Sequence, residues 1–268
     1  MTLQTVAGFP THVETAGRGV RRALFIHCTL ARAGAWSRVQ AELLGKLAMT
    51  AFDRPGHGQS AGWAGEGGAV ALLDLTARIA AELAGKPTDI VGHSFGAIVG
   101  LRLAMTRPDL VRSLTLIEPP LVAALRETPA HAAHAAFRAD FEAALAEGDR
   151  MRAAAMFNDA MNPETPWSGL PEAAREGMAR RIDLIAVENP VTMDDAAGLL
   201  APGRLEAIKA PVLLMQGTLS PPVLTETMQA LALRLPKARR VLVGGAGHMA
   251  PLTHPVNVAG EIAAFLKV

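Results

Sequence analysis

Short apolar runs recur along the chain, each bounded by glycine, proline or polar residues: 23–27 (Ala-Leu-Phe-Ile-His), 47–52, 89–93, 113–117, 211–216 and 239–243. Runs of that length are what strands buried on both faces of a parallel sheet require. Between them the apolar period lengthens to that of a helix. Residues 35–46, 69–84, 95–106, 222–235 and 255–266 read as helices, and in 69–84 the positions Val70, Leu73, Ala77, Ala80, Ala81 and Ala84 recur at helical spacing. Strands that alternate with helices predict βαβ units, and so an α/β fold with a mostly parallel central sheet flanked by helices.

The alternation stops between about 120 and 208. That stretch is alanine-dense at 130–147 and 149–161, is interrupted by Pro163, Pro166, Pro171 and Pro190, and has no strand-like alternation. It is far longer than the ~4–6 residues of an ordinary connection, and its alanine content favours helix over disorder. The expected organisation is a core domain of residues 1–119 and 209–268, with a helical cap, 120–208, inserted after the strand that follows helix 95–106.

Composition narrows the partners. The 268 residues, half of them apolar, suffice for one well-buried core with an insertion. The formal net charge is +1, and the arginine doublets at 21–22, 180–181 and 239–240 are isolated. Nucleic acid needs a clustered positive face, so no nucleic-acid partner is expected and a small-molecule substrate fits better. No apolar run approaches the ~20 residues of a membrane span, and the first ten residues lack a secretory signal's basic start and apolar stretch. The expectation is a soluble, cytoplasmic protein without a membrane partner. The single cysteine, Cys28, has no partner for an intramolecular disulfide, and no Cys/His cluster has metal-ligand spacing. No metal is expected, and the oligomeric state is open.

The chemistry is concentrated where the third of these strands meets its helix. Residues 92–96, Gly-His-Ser-Phe-Gly, form a G-x-S-x-G motif after an apolar strand and before a helical pattern, the context that motif requires. A serine in so tight a turn needs small residues two positions to either side. The turn lifts the Ser94 hydroxyl clear of the sheet at a helix N-terminus, which favours developing negative charge.

With this motif the chain resembles the α/β-hydrolase superfamily, in particular its capped esterase-like and C–C hydrolase-like members. Three further segments carry the resemblance: Phe25-Ile26-His27-Cys28-Thr29, similar to a strand followed by a His-Gly oxyanion loop; residues 53–60, Asp-Arg-Pro-Gly-His-Gly-Gln-Ser, similar to D-x-P-G-H-G-x-S; and Gly245-Ala246-Gly247-His248-Met249, similar to the late histidine loop. The resemblance implies Ser94 as nucleophile and His248 as its base. It also implies an oxyanion hole made by the backbone N–H groups of Phe95 and Thr29. Cys28 departs from the usual glycine and reads as a small buried hydrophobe.

A serine hydroxyl needs a base, and His248, in a glycine-rich loop after the last strand, stands where open α/β sheets gather their chemistry. The other histidines have blander readings. His27 and His57 brace their loops, and His93 points away from the serine. His254 starts the last helix, His131 and His134 are solvent-facing on a cap helix, and His12 carries no signal.

The acid is where the pattern breaks. Relatives put an aspartate after the strand corresponding to 211–216, and here Ser220 occupies that position. A second location in this fold is the end of the preceding strand, which here reads Ile117-Glu118-Pro119-Pro120. Glu118 is the candidate acid. Asp194, Asp195 and Glu226 are weaker alternatives, Asp53 is expected to bond its own turn, and a Ser94–His248 dyad stays open.

The expectation is a serine hydrolase that cleaves a carboxylic ester or related acyl bond of a small apolar or amphipathic substrate, without metal or organic cofactor. Met156, Phe157, Met161 and Trp167 are candidates for an apolar lining or for packing within the cap. A C–C bond hydrolase, lactonase or cofactor-free peroxidase-like enzyme on the same scaffold, and a non-catalytic ligand-binding protein, are the alternatives.

Overall fold

A computed structural model describes residues 3–268 of the chain. Nine strands run in chain order as β1 (Gln4–Val6), β2 (Phe9–Thr11), β3 (Val13–Ala16), β4 (Arg21–Ile26), β5 (Leu47–Phe52), β6 (Thr88–His93), β7 (Val111–Ile117), β8 (Val212–Gly217) and β9 (Ala238–Val243). β1 and β2 form a small hairpin, and the other seven form one sheet in the order β3-β5-β4-β6-β7-β8-β9. Within this seven-stranded sheet the β3–β5 pair is antiparallel and the others are parallel. The six apolar runs read from the sequence are the six parallel strands. β6 is buried at every position, as expected for the middle of a sheet covered on both faces.

Ten α-helices accompany the strands: α1 (Ser37–Ala41), α2 (Gly68–Ala84), α3 (Phe95–Thr106), α4 (Pro129–Ala146), α5 (Arg150–Met161), α6 (Glu172–Ala179), α7 (Asp183–Thr192), α8 (Pro222–Arg234), α9 (Ala250–Thr253) and α10 (Pro255–Leu266). Successive side chains of β4 go to opposite faces. Leu24 and Ile26 join the apolar layer of α2, α3 and α8, while Ala23 and Phe25 join that of α1, α9 and α10. The helix expected at 35–46 is shorter. After Ala41 the backbone tightens to i→i−3 bonds, Leu43 to Gln40 and Lys46 to Leu43, each 2.9 Å, a pattern that does not continue as α-helix.

Residues between β7 and β8 contain no strand. Their helices α4 to α7 have an apolar cluster of their own, built on Phe141, Ala144, Ala153, Ala154, Ala179 and Ile182. Both flanks of the stretch instead pack into the main core, through Leu121 on one side and Val191, Leu199, Leu205 and Ile208 on the other. Pro190 does not interrupt the helix there. It sits inside α7, near its end, where a missing N–H costs a single bond. No helix among the described residues is long and apolar enough to cross a membrane.

Candidate active site

β4 lies between β5 and β6, so the chain winds away from it in both directions, and the crevice at the C-terminal ends of β4 and β6 is where open α/β sheets bind ligands. Ser94 stands at that crevice, between β6 and α3. Its backbone is at φ 54°, ψ −124°, a region non-glycine residues rarely adopt. Its N–H donates to the Ile117 carbonyl at 2.8 Å, pinning the turn to β7. The two glycines of the motif are sterically required. A Cβ on Gly92 would lie 2.3 Å from the Gly96 oxygen, and one on Gly96 would lie 2.2 Å from the Ile26 oxygen.

His248 follows β9. Its Nδ1 is 2.7 Å from Oε2 of Glu118, and both side chains are almost completely buried. Glu118 leaves β7 with φ 46°. Its Oε1 accepts the Gly217 N–H at 2.8 Å and also the Ser220 hydroxyl. A carboxyl that starts on β7 is thereby delivered to the end of β8, next to Ser220. Three sequence candidates, Ser94, His248 and Glu118, are thus brought to one end of the sheet. Ser94 and His248 both line a cavity of about 680 Å³.

The histidine loop has a second brace. Nε2 of His93 donates to the His248 carbonyl at 2.8 Å, and the two rings lie 4.9 Å apart. Burial, followed by the nearby His248, holds the His93 pKa well below its usual range, as suits a neutral donor to a carbonyl. From the sequence His93 is expected only to point away from Ser94; the structure adds this bond to the His248 carbonyl. No local pattern signals a partner 155 residues away.

The loop after β4 is held by the core. His27 Nδ1 donates to the Cys28 carbonyl at 2.7 Å, and its Nε2 accepts the Arg54 N–H at 2.9 Å. Asp53 does more than bond its own turn. It accepts the Gln59 N–H at 2.7 Å, but it also accepts the Ala33 N–H at 2.6 Å and meets His12 Nδ1 at 3.0 Å. His12, which carried no signal, is therefore part of this brace. The N–H groups of Thr29 and Phe95 have no hydrogen-bond acceptor among the described residues. Cys28 is buried, and burial pushes its thiol up to about 12, so it behaves as a small apolar side chain.

A buried ion pair joins the helical segment to these loops. Oε1 of Glu188, on α7, accepts from Arg54 Nη2, and its Oε2 accepts from the Thr29 hydroxyl. The Arg54 guanidinium lies 4.6 Å from the centre of the Phe95 ring. Burial pushes the Glu188 carboxyl above its ordinary range, against the opposing pull of Arg54 and Thr29. Neither Arg54 nor Glu188 stood out in the sequence.

The cavity walls are apolar on the helical side, with Phe137, Phe141, Phe157, Met161 and Ile185, and carry polar groups at Asn158, Asn162 and Glu188. Phe157 and Met161 therefore line it, whereas Met156 and Trp167 pack against the helical segment's own cluster. His134, read as solvent-facing, is half-buried on the cavity wall, and burial lowers its pKa. Among the described residues no group of three or more His, Cys, Asp or Glu side chains is arranged to hold a metal ion.

Comparisons with known proteins identify the family. Lipase LipV of Mycobacterium tuberculosis is 36% identical over 109 residues, 40% of this chain, and the match spans only 41% of that lipase's length. The (E)-2-((N-methylformamido)methylene)succinate hydrolase of Acinetobacter baylyi is 26% identical over 276 residues, covering 99% of this chain and 97% of that protein. Among solved structures, the 2-hydroxy-6-oxo-6-phenylhexa-2,4-dienoate hydrolase of a Rhodococcus species superposes with a TM-score of 0.75 at 20% identity, covering 100% of this chain and 99% of that one. The sequence profile described as "Alpha/beta hydrolase family" matches residues 23–261. The chain belongs to the alpha/beta hydrolase family.

Proposed function

We propose that the protein is a serine hydrolase that cleaves a carboxylic ester or related acyl bond of a small apolar or amphipathic substrate. Ser94, His248 and Glu118 act as nucleophile, base and acid. The observation that carries this reading is the 2.7 Å contact between Glu118 and His248 Nδ1, in the same site as a serine on a strained strand-to-helix turn. With Nδ1–H donated to the carboxylate, the lone pair of His248 is on Nε2, the nitrogen that must receive the serine proton.

In the acylation step Ser94 Oγ attacks the acyl carbon while His248 Nε2 takes the hydroxyl proton. The negative charge that develops on the carbonyl oxygen is held by the N–H groups of Thr29 and Phe95, which have no acceptor within the described residues. Such preorganised donors need no reorganisation as charge appears. His248 then gives its proton to the leaving alkoxide. In the second half a water loses a proton to His248, attacks the acyl-serine and releases the acid. Glu118 stabilises the imidazolium in both halves without accepting the proton. The helical segment 120–208 serves as a cap, and its aromatic and aliphatic side chains select the acyl or alcohol part.

The cavity volume of about 680 Å³ falls in the range of small-molecule sites. A different bond cleaved on the same scaffold is a second reading, favoured by the near full-length likeness to the succinate-derivative hydrolase. A panel of p-nitrophenyl esters, a lactone and a β-diketone separates the two. Preferred ester turnover supports the esterase reading, and turnover of the β-diketone alone overturns it.

A further inference from the structure

The helical segment reaches the oxyanion loop through one carboxylate. We propose that Glu188 is a positioning residue for the oxyanion hole: it ties the segment to Thr29 and, through Arg54, to Phe95, so that both donor residues are held in register only while the segment is seated. The inference rests on the oxyanion assignment in the proposed function.

Three observations meet at this residue. Oε2 of Glu188 accepts from the hydroxyl of Thr29, whose own N–H is one proposed donor. Oε1 accepts from Arg54 Nη2, and the Arg54 guanidinium covers the ring of Phe95, whose N–H is the other. Arg54 is completely buried, and its Nε and Nη1 have no partner among the described residues. Glu188 is therefore the anion that balances a cation packed on the Phe95 ring.

The loop that needs holding is the loop so held. Leu30, next to Thr29, has φ 66°, a conformation a leucine adopts only when its surroundings impose it. The core fixes the loop on one side, through His27 and through the Asp53 bond to Ala33. On the cavity side it is tethered by Glu188. Since an oxyanion donor works only within a few tenths of an ångström of its ideal position, a tether on that side bears on rate more than on substrate affinity.

The test compares Thr29→Val, Thr29→Ser and Glu188→Gln with wild type, reading kcat and KM for a p-nitrophenyl ester, the thermal midpoint, and fluorophosphonate labelling. Wild-type turnover and labelling come first; if both are absent, it is the hydrolase reading that fails, whatever Glu188 does. With wild type active, Thr29→Val, which deletes the tether but keeps the N–H and the buried ion pair, lowers kcat by about tenfold with KM within about twofold; one intact donor is worth about 10²–10³. Thr29→Ser keeps the hydroxyl and recovers most of the kcat lost in Thr29→Val. Glu188→Gln, where it folds, lowers kcat at least as far as Thr29→Val. A folded Thr29→Val with wild-type kcat, or a rise in KM at unchanged kcat, overturns the proposal.

Discussion

Glu118 and His248 are joined by a 2.7 Å contact although 130 residues separate them and the usual acid position carries Ser220. The carboxyl is fixed on its other oxygen by the Gly217 N–H and the Ser220 hydroxyl, so the serine serves as a hydrogen-bond donor to its replacement. Removing the charge while keeping the shape leaves His248 in the wrong tautomer for its task. Glu118→Gln is expected to lower kcat by roughly 10³–10⁴-fold with little change in KM, the loss typical of such a change in a serine triad. Steady-state kinetics with a p-nitrophenyl ester checks this, and a folded variant at wild-type rate would falsify the assignment.

The acid can also be moved. Because the Glu118 carboxyl ends beside Ser220, the double change Glu118→Ala with Ser220→Asp returns the charge to its usual strand. It is expected to be at least about tenfold faster than Glu118→Ala alone. No gain over the single variant means that the two positions do not address the same histidine nitrogen.

The glycines flanking Ser94 are set by space. A methyl group on Gly96 would meet the Ile26 and His27 carbonyl oxygens at 2.2 and 2.7 Å, backbone atoms that cannot swing aside. Gly96→Ala is expected to lose at least about 2 kcal/mol of stability in urea unfolding, and Gly92→Ala a similar amount. An unchanged urea midpoint for both contradicts the turn geometry.

Acid sensitivity follows from buried neutral histidines. Burial first, then Arg54, lowers His57 to about 3 from its ordinary 6.5, and His27 and His93 also lie well below that value. The folded state resists protonation, so these groups stabilise the fold fully above pH 6.5 and progressively less as the pH falls toward the folded-state values. For His57 alone the loss at pH 5 is roughly 2 kcal/mol. Urea midpoints are expected to drop between pH 7 and pH 5, with a shallower slope for His57→Asn. Midpoints flat over that window contradict the neutral-histidine account.

Cys28 gives a prediction of the opposite kind. With its thiol pushed up to about 12, about one in ten thousand is ionised at pH 8. Iodoacetamide is expected to leave it unmodified in native protein and to alkylate it readily in urea. Rapid native alkylation points to a reactive thiol in the site.

Much of this was legible in the sequence, for physical reasons that also mark the limit. Six apolar runs became six parallel strands because burial on both faces leaves no room for polar alternation. Ser94 was legible because its turn demands a small residue two positions to either side, and Glu118 because it is the carboxylate at the end of the strand beside the one that leads to Ser220. Glu188 was not. A lone glutamate in α7, whose sequence is Asp-Leu-Ile-Ala-Val-Glu-Asn-Pro-Val-Thr, looks the same whether it faces solvent or a buried arginine 134 residues earlier in the chain. His134 was misread for the same reason: helical spacing shows which residues share a face, but not what that face meets.

Everything proposed for this site depends on Ser94 being the nucleophile, and intact-mass spectrometry after fluorophosphonate treatment reads that out at the residue itself. One adduct per chain is expected, mapped to the peptide carrying Ser94, absent in Ser94→Ala and strongly slowed in His248→Ala. Labelling that survives Ser94→Ala, or wild-type protein that never labels, contradicts it.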